Sequence, residues 1–395
     1  MAQKLRILFL PKWYPNKFDS LDGNFIENHA KAVAPFCDLA VLFVHSDADL
    51  NQAFEEIQNS PSGFQEIRVY FKKPHLKWKA LNRIVTFIRY FKAQLKGYRL
   101  YLKSNKQPDL THIHVLGRTA PLALFLKFSK QIPFLVTEHW SGYHKRSGAY
   151  TGLLKKWITR FTVRNANAIT TVSTDLMNAM LSHQLKGEYQ IVPNVIDINT
   201  FTPNYKKQNK KIRFIHISNL SKVPKNLHQV IFNLNDLAVE GFDFEFILVG
   251  YGEEEDQMLE LINKSALEPL TTFRGKLTME EVAKELAQAD AMLLFSLYEN
   301  QPVVMLESFA CGCPAVVSDV GGIAEIMKPE LGILVKSEDN NGFKDAIRHI
   351  LTKETIFDPH KIREYAVTHF SEEIVGKQFL ELYTSIHQGS NIKVN

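Results

Sequence analysis

Ser296-Leu297-Tyr298-Glu299-Asn300-Gln301-Pro302-Val303-Val304-Met305-Leu306-Glu307-Ser308-Phe309-Ala310-Cys311-Gly312-Cys313-Pro314 follows directly on the apolar run Ala291–Phe295. A buried strand, an acidic loop and a helix therefore come in order. Pro302 suits the first helical position, where a missing N–H costs nothing and its fixed φ already fits. Glu299 then lies at the carboxyl end of a strand, beside the amides of Val303 and Val304. Such amides, with the positive end of the helix dipole, favour a phosphate or carboxylate. Glu307 sits more than a turn further in, on a helix otherwise made of Val, Met, Leu, Phe and Ala. A carboxylate in that setting needs a partner, and a sugar or ribose hydroxyl would serve.

Outward from this stretch the same alternation repeats. Strand signals at Leu5–Leu10, Leu39–Val44, Gln65–Tyr70, Leu110–His114, Phe134–Thr137, Ala168–Val172 and Gln190–Val192 alternate with helical or loop segments. The polar stretch Asn204–Lys211 interrupts them and reads as a linker. Alternation resumes at Ile212–Ser218, Phe244–Gly250, Thr271–Arg274, Ala291–Phe295, Ala315–Ser318 and Gly332–Val335. Two parallel, doubly wound α/β domains are expected, residues 1–203 and 204–370, with ligands beyond the carboxyl ends of the strands. Gly250-Tyr251-Gly252 follows a strand as a dinucleotide fingerprint would, but Glu253-Glu254-Glu255-Asp256 comes next and no third glycine does. Four acids repel a pyrophosphate, so a tight turn is the better account.

Glu299, seven residues, Glu307, then Ala310-Cys311-Gly312-Cys313-Pro314 and Gly321-Gly322-Ile323-Ala324-Glu325, resembles the donor site of retaining glycosyltransferases of the GT-B fold, family four. The resemblance runs along nearly the whole chain. Trp13-Tyr14-Pro15 and Gly23 follow the first strand, Thr137-Glu138-His139 ends a later one, and Val192-Pro193-Asn194-Val195-Ile196-Asp197 falls mid-chain. It implies two Rossmann-like domains facing a central cleft, with the last helix, 371–388, crossing back to the first. It implies a nucleotide-diphospho-sugar donor on the second domain and an acceptor on the first, with no other cofactor and no metal. Glu299 would hold sugar hydroxyls and Glu307 the ribose. His139 would support the reacting carbon, and Gly23 would let backbone approach the ligands.

Phosphate binding calls for fixed positive charge, because the leaving group gains negative charge as the glycosidic bond breaks. The family's turn after the strand Ile212–Ser218 usually carries Gly-Arg-Leu and then a lysine. Here Ser218-Asn219 stands in place of Gly-Arg. Lys225 matches the lysine, and Lys222 is a candidate second cation, although a compact ammonium does not copy a bidentate guanidinium contact. Catalytic roles are thus expected for His139, Glu299 and Lys225, and donor binding for Gly23, Lys222, Lys225, Glu299, Val303, Val304 and Glu307. Asn300-Gln301-Pro302 replaces the family's frequent Gly-x-Gly, so the donor sugar does not follow from glycine-bearing relatives. A catalytically silent sugar-nucleotide-binding scaffold is the alternative of a different class. His112 and His114, alternating on one strand, read as core histidines.

Among 395 residues, 45% are hydrophobic and 23% charged, enough for two sizeable cores. Three cysteines, Cys37, Cys311 and Cys313, have no framework spacing, which suits a reducing compartment. The short run Ile7–Leu10 is too brief for a signal-peptide core, and a cytoplasmic protein is expected. Residues 1–200 hold 27 Lys+Arg against 14 Asp+Glu, while the remainder holds 20 against 28. Much of the basic excess lies in 68–106, which has no acidic residue and is interleaved with aromatics. Leu81, Ile84, Val85, Ile88, Phe91 and Leu95 there approximate helical spacing and predict a helix over 80–102 with that side buried. Its basic side fits solvent, an anionic membrane surface that would make the protein peripheral, or a polyanionic acceptor. No nucleic-acid-binding module is recognisable.

Overall fold

The computed structural model describes residues 4–60, 63–207, 209–220 and 222–389; the side chains of Lys222 and Val223 lie outside that description. The chain divides into two compact units, Met1–Pro193 with Glu372–Asn395, and Asn194–Ser371. The division falls after Pro193 and not after residue 203. Asn204–Lys211 is not the connection, because Lys207 donates to the Ala289 carbonyl at 2.5 Å and lies 3.1 Å from Asp290, while Asn209 donates to Gln288 O and Asp290. Polar composition here marks an edge tied to the second unit.

The first unit is built on eight strands: β1 Arg6–Pro11, β2 Asp38–Asp47, β3 Phe54–Asn59, β4 Gln65–Lys72, β5 Leu110–His114, β6 Phe134–Glu138, β7 Ala168–Thr171 and β8 Tyr189–Ile191. Their order is β3-β4-β2-β1-β5-β6-β7-β8, parallel except for the β3–β4 pair. β5 and β6 are buried at every position, as a sheet covered on both faces requires. β3, Phe-Glu-Glu-Ile-Gln-Asn, is an exposed edge strand whose acidic sequence carries no apolar run. The helices are α1 Asn24–Val33, α2 Lys79–Ser104, α3 Ala120–Lys130, α4 Leu153–Asn165 and α5 Thr174–Ser182, the last capped by the Ser173 side chain. The helix Glu372–His387 belongs to this unit and packs on α1, where a Cβ on Gly376 would stand 2.1 Å from the Ala32 carbonyl oxygen.

α2 forms where expected, but it turns a different side inward. Tyr90, Ala93, Gln94, Gly97, Tyr98 and Tyr101 are buried, whereas Leu81, Ile84 and Ile88 are exposed. Gly97 sets this orientation. A Cβ there would meet Leu42 Cδ1 of β2 at 2.1 Å, so the second half of the helix lies close on the sheet.

The second unit has six parallel strands: β9 Ile212–Asn219, β10 Phe244–Tyr251, β11 Thr271–Gly275, β12 Ala291–Leu294, β13 Ala315–Asp319 and β14 Gly332–Lys336, ordered β11-β10-β9-β12-β13-β14. Strand order reverses between β9 and β12 here, and between β1 and β5 in the first unit. At such switch points the loops at the carboxyl ends part and leave a crevice. No described helix is long and apolar enough to cross a membrane.

Candidate active site

In the second unit the loops at the switch point are those after β9 and β12, and they carry Lys225 and Glu299. Lys225 closes the short helix Lys222–Lys225, and the two loops are tied by the Leu297 N–H donating to Pro224 O at 2.8 Å. Lys225 Nζ lies 2.6 Å from Glu299 Oε1, which also accepts from Ser296 Oγ at 2.9 Å. Both side chains are largely buried, so this ion pair is shielded from solvent and holds the two expected ligand groups together. Lys222 opens the same helix.

Val303 and Val304 open the helix Val303–Ala310, whose first amides have no carbonyl one turn earlier to bind. Pro302 is the residue before that helix, one position earlier than its sequence suggests, and Met305 donates to its carbonyl at 3.1 Å. Glu307 is buried on the same helix, and burial pushes its carboxyl up to about 8. At neutral pH it is therefore mainly protonated, able to donate as well as accept.

The loop between Glu299 and the helix is held from a distance. Asn194 donates its backbone N–H to Gln301 Oε1 at 2.5 Å and its side-chain amide to Gln301 O at 3.0 Å. Asp197 accepts from the N–H groups of Asn199 and Thr200, a local cap. His216, buried on β9, bonds Leu293 O and Ser218 Oγ, each at 2.8 Å, and burial lowers its pKa to about 4. The glycines of Gly250-Tyr251-Gly252 serve close packing. A Cβ on Gly250 would meet Ser218 O at 2.0 Å, and one on Gly252 would meet Leu220 O at 2.4 Å.

In the first unit, His139 follows β6 and is half-buried. Its ring lies 4.8 Å from Phe25, 5.2 Å from His29 and 5.8 Å from His114, centroid to centroid. His29 comes from α1, with Nδ1 2.8 Å from the Phe25 carbonyl and Nε2 3.2 Å from the Pro193 carbonyl, and the neutral ring donates to one of them. His112 bonds Tyr383 and Thr137, as a core histidine should. One nitrogen each of His29, His114 and His139 lie within 4.8 Å of one another, the one described cluster able to hold a metal.

Glu138, buried next to His139, organises this end of the sheet. Its carboxylate accepts from the N–H groups of Leu116 at 3.0 Å and of His139 and Trp140 at 2.9 Å each, and from the Tyr143 hydroxyl at 3.1 Å. Burial pushes its carboxyl up while those amide bonds oppose the shift. The bond to Leu116 also anchors Val115, a β-branched residue at φ 68 directly after β5. That conformation is strained for valine and sits at the switch point. Gly23, at φ 64, precedes α1, and its missing Cβ is required by the chain itself. A Cβ would stand 2.4 Å from the Trp13 carbonyl carbon and 2.6 Å from the Tyr14 nitrogen. Close packing of the chain by itself therefore requires glycine there.

Residues 29–200 match the model of Glycosyltransferase Family 4, and residues 197–369 match that of Glycosyl transferases group 1. The chain belongs to this glycosyltransferase family. An N-acetyl-alpha-D-glucosaminyl L-malate synthase of Bacillus anthracis is 30% identical over 243 residues, 58% of this chain and 62% of the relative. A glycogen synthase of Mycobacterium tuberculosis is 24% identical over 267 residues, 66% of this chain and 64% of that protein. The chain thus spans less than two thirds of the length of these curated relatives. Among solved structures, a sucrose-phosphate synthase from Thermosynechococcus elongatus superposes with a TM-score of 0.76 at 19% identity, covering 98% of this chain and 100% of its own. Anabaena HepE in complex with UDP gives 0.70 at 17% identity, covering 96% and 100%. These structures are GT-B glycosyltransferases, and their likeness places the two Rossmann-like units in the GT-B fold.

Proposed function

We propose that the protein is a retaining glycosyltransferase that moves a hexose-type sugar from a nucleotide-diphospho-sugar to an acceptor hydroxyl, without a metal or further cofactor. The observation that carries this reading is the buried Lys225–Glu299 pair at the switch point of the second unit, on the loop that leads into the helix opened by Val303 and Val304. Donor entry would part the pair: the Lys225 ammonium turns to the diphosphate, and Glu299 turns to sugar hydroxyls. Glu307 takes the ribose hydroxyls. The acceptor oxygen attacks the anomeric carbon as the bond from that carbon to the diphosphate oxygen breaks. The electron pair leaves with the diphosphate, whose oxygen on the same face takes the acceptor proton. No separate base is required, and His139 supports the reacting sugar by hydrogen bonding.

The acceptors that fit are carbohydrate hydroxyls, including lipid-linked and cell-surface glycan precursors. Residues 68–106 would bring a cytoplasmic protein into reversible contact with an anionic membrane, since α2 carries no acidic residue. Lys96 contributes less than its neighbours because it is paired with Glu56 at 2.6 Å. Sedimentation with anionic vesicles tests this contact. Wild type should pellet at low salt, and a variant neutralised at Lys92, Lys96, Arg99 and Lys103 should not; if both stay in the supernatant, the contact is wrong.

A screen of donors against acceptors, read by mass spectrometry and by the anomeric proton of the product, tests the reaction. The expected product keeps the donor's anomeric configuration. An inverted product would overturn the retaining reading, and binding of every donor without turnover would make the protein a scaffold.

A further inference from the structure

α2, α3 and α4 lie side by side on one layer of the first unit. Phe91 of α2 meets Phe125 of α3 edge-on at 6.4 Å, and Phe128 of α3 lies 6.2 Å from Phe161 of α4. The three helices carry seven, two and four lysines or arginines and not one aspartate or glutamate. Large apolar side chains nevertheless stand in solvent along them. Trp78, immediately before α2, is 77% exposed and Ile84 is 57% exposed; on α4, Leu153, Leu154 and Trp157 are 89, 71 and 63% exposed. Single exposed apolar residues are ordinary, but a run of this size on adjoining helices marks a surface with a partner.

Position narrows the partner. β4 and β6 run parallel to their neighbours, so the first turns of α2 and α4, which follow them, share the carboxyl end of the sheet. That end carries His139. α4 is linked to it directly: Lys155 Nζ sits 4.0 Å above the Trp140 ring, next to His139. Aromatic and aliphatic groups flanked by cations, with no acid on the three helices, complement an interface of anionic headgroups over acyl chains. Tryptophan suits that boundary, and lysine stems lie along it with their heads outward.

We propose that Leu153, Leu154 and Trp157 at the start of α4, together with the exposed first turns of α2, insert into the headgroup region of an anionic membrane and hold the His139 end of the first unit against it. This rests on the membrane contact proposed above for residues 68–106 and adds a second, apolar anchor outside that segment. The acceptor would then be reached at the lipid surface.

Two variants separate the parts. The full chain is sedimented with vesicles of phosphatidylcholine alone and of phosphatidylcholine with phosphatidylglycerol, at low and high salt. Wild type should bind the anionic vesicles and keep part of its binding at high salt, because insertion is not screened. L153S/L154S/W157S should lose binding by about tenfold or more and lose the salt-resistant fraction entirely. Melting of that variant should match wild type, since the three side chains are exposed. Tryptophan emission of wild type should be quenched by lipid brominated on the upper acyl chain, and less so in W157F. Equal binding of the triple variant and wild type overturns the α4 anchor while leaving the charge contact of α2 standing. A dimer by light scattering that the triple variant splits, with no vesicle binding by wild type, would make this face an interface between copies and overturn the proposal.

Discussion

The two units place candidate ligand sites at the switch points of their sheets, with opposite chemistry. In the second unit the site is an ion pair, Lys225 with Glu299, next to a helix start and a buried acid. In the first it is a group of histidine rings, His29, His112, His114 and His139, braced by a buried glutamate that bonds backbone amides. The charged site lies on short loops that a motif can spell. The other is assembled from α1, β5 and the loop after β6, far apart in sequence, and burial lowers the pKa of His29, His112 and His114.

The contrast is broken most forcefully by removing its charges. Lys225→Met should lower donor turnover by about 10²–10³-fold, since it deletes the cation proposed to face the leaving group and takes the ion-pair partner from Glu299. Nucleotide release measured at saturating donor checks this, and a loss below tenfold would remove Lys225 from the reaction. In the first unit, Glu138→Gln puts an amide where several N–H and O–H donors converge. It should cost about 3 kcal/mol of stability. All four tryptophans, Trp13, Trp78, Trp140 and Trp157, belong to the first unit, so denaturant unfolding followed by tryptophan emission reads it selectively.

pH should part the units more gently and in opposite directions. Burial lowers His29 from 6.5 to about 4 and holds His112 and His114 well below their ordinary value. The unfolded chain binds those protons first, so the first unit keeps this stability above about 6.5 and loses it as pH falls towards 4. Glu307 is raised from 4.5 to about 8, so its contribution is complete below 4.5 and disappears as pH rises through 8. Tryptophan-detected melting should weaken on the acid side. Circular dichroism should show a loss of stability as pH rises from about 4.5 to about 8 that Glu307→Gln removes. Identical pH profiles for wild type and Glu307→Gln would show that Glu307 is not held neutral.

Legibility followed the same division. The parallel strands could be read because burial on both faces favours unbroken apolar runs, as at Ile7–Leu10 of β1 and at β12. β3 escaped because an exposed antiparallel edge needs no such run. Leu81, Ile84 and Ile88 have helical spacing but face outward, since periodicity reveals a face without saying what covers it, and Gly97 decides which side meets the sheet. Glu299 and Glu307 stood out as carboxylates in strand-end and apolar settings, and Lys225 by its match to the family's lysine. His29 did not, because a histidine within an ordinary amphipathic helix shows nothing until α1 is folded beside β6. Glu138 stood in a quoted motif, yet its bonds to Leu116 and Tyr143 exist only in three dimensions.

The central claim is that the Glu299 site transfers sugar and does not merely bind it. Incubation of wild type and Glu299→Ala with a panel of nucleotide-diphospho-sugars, without acceptor, measures it directly by release of free nucleotide. Wild type should release nucleotide slowly from at least one donor, and Glu299→Ala, melting like a folded protein, should release none. Donor binding by wild type with no release, or equal release by both proteins, would contradict it.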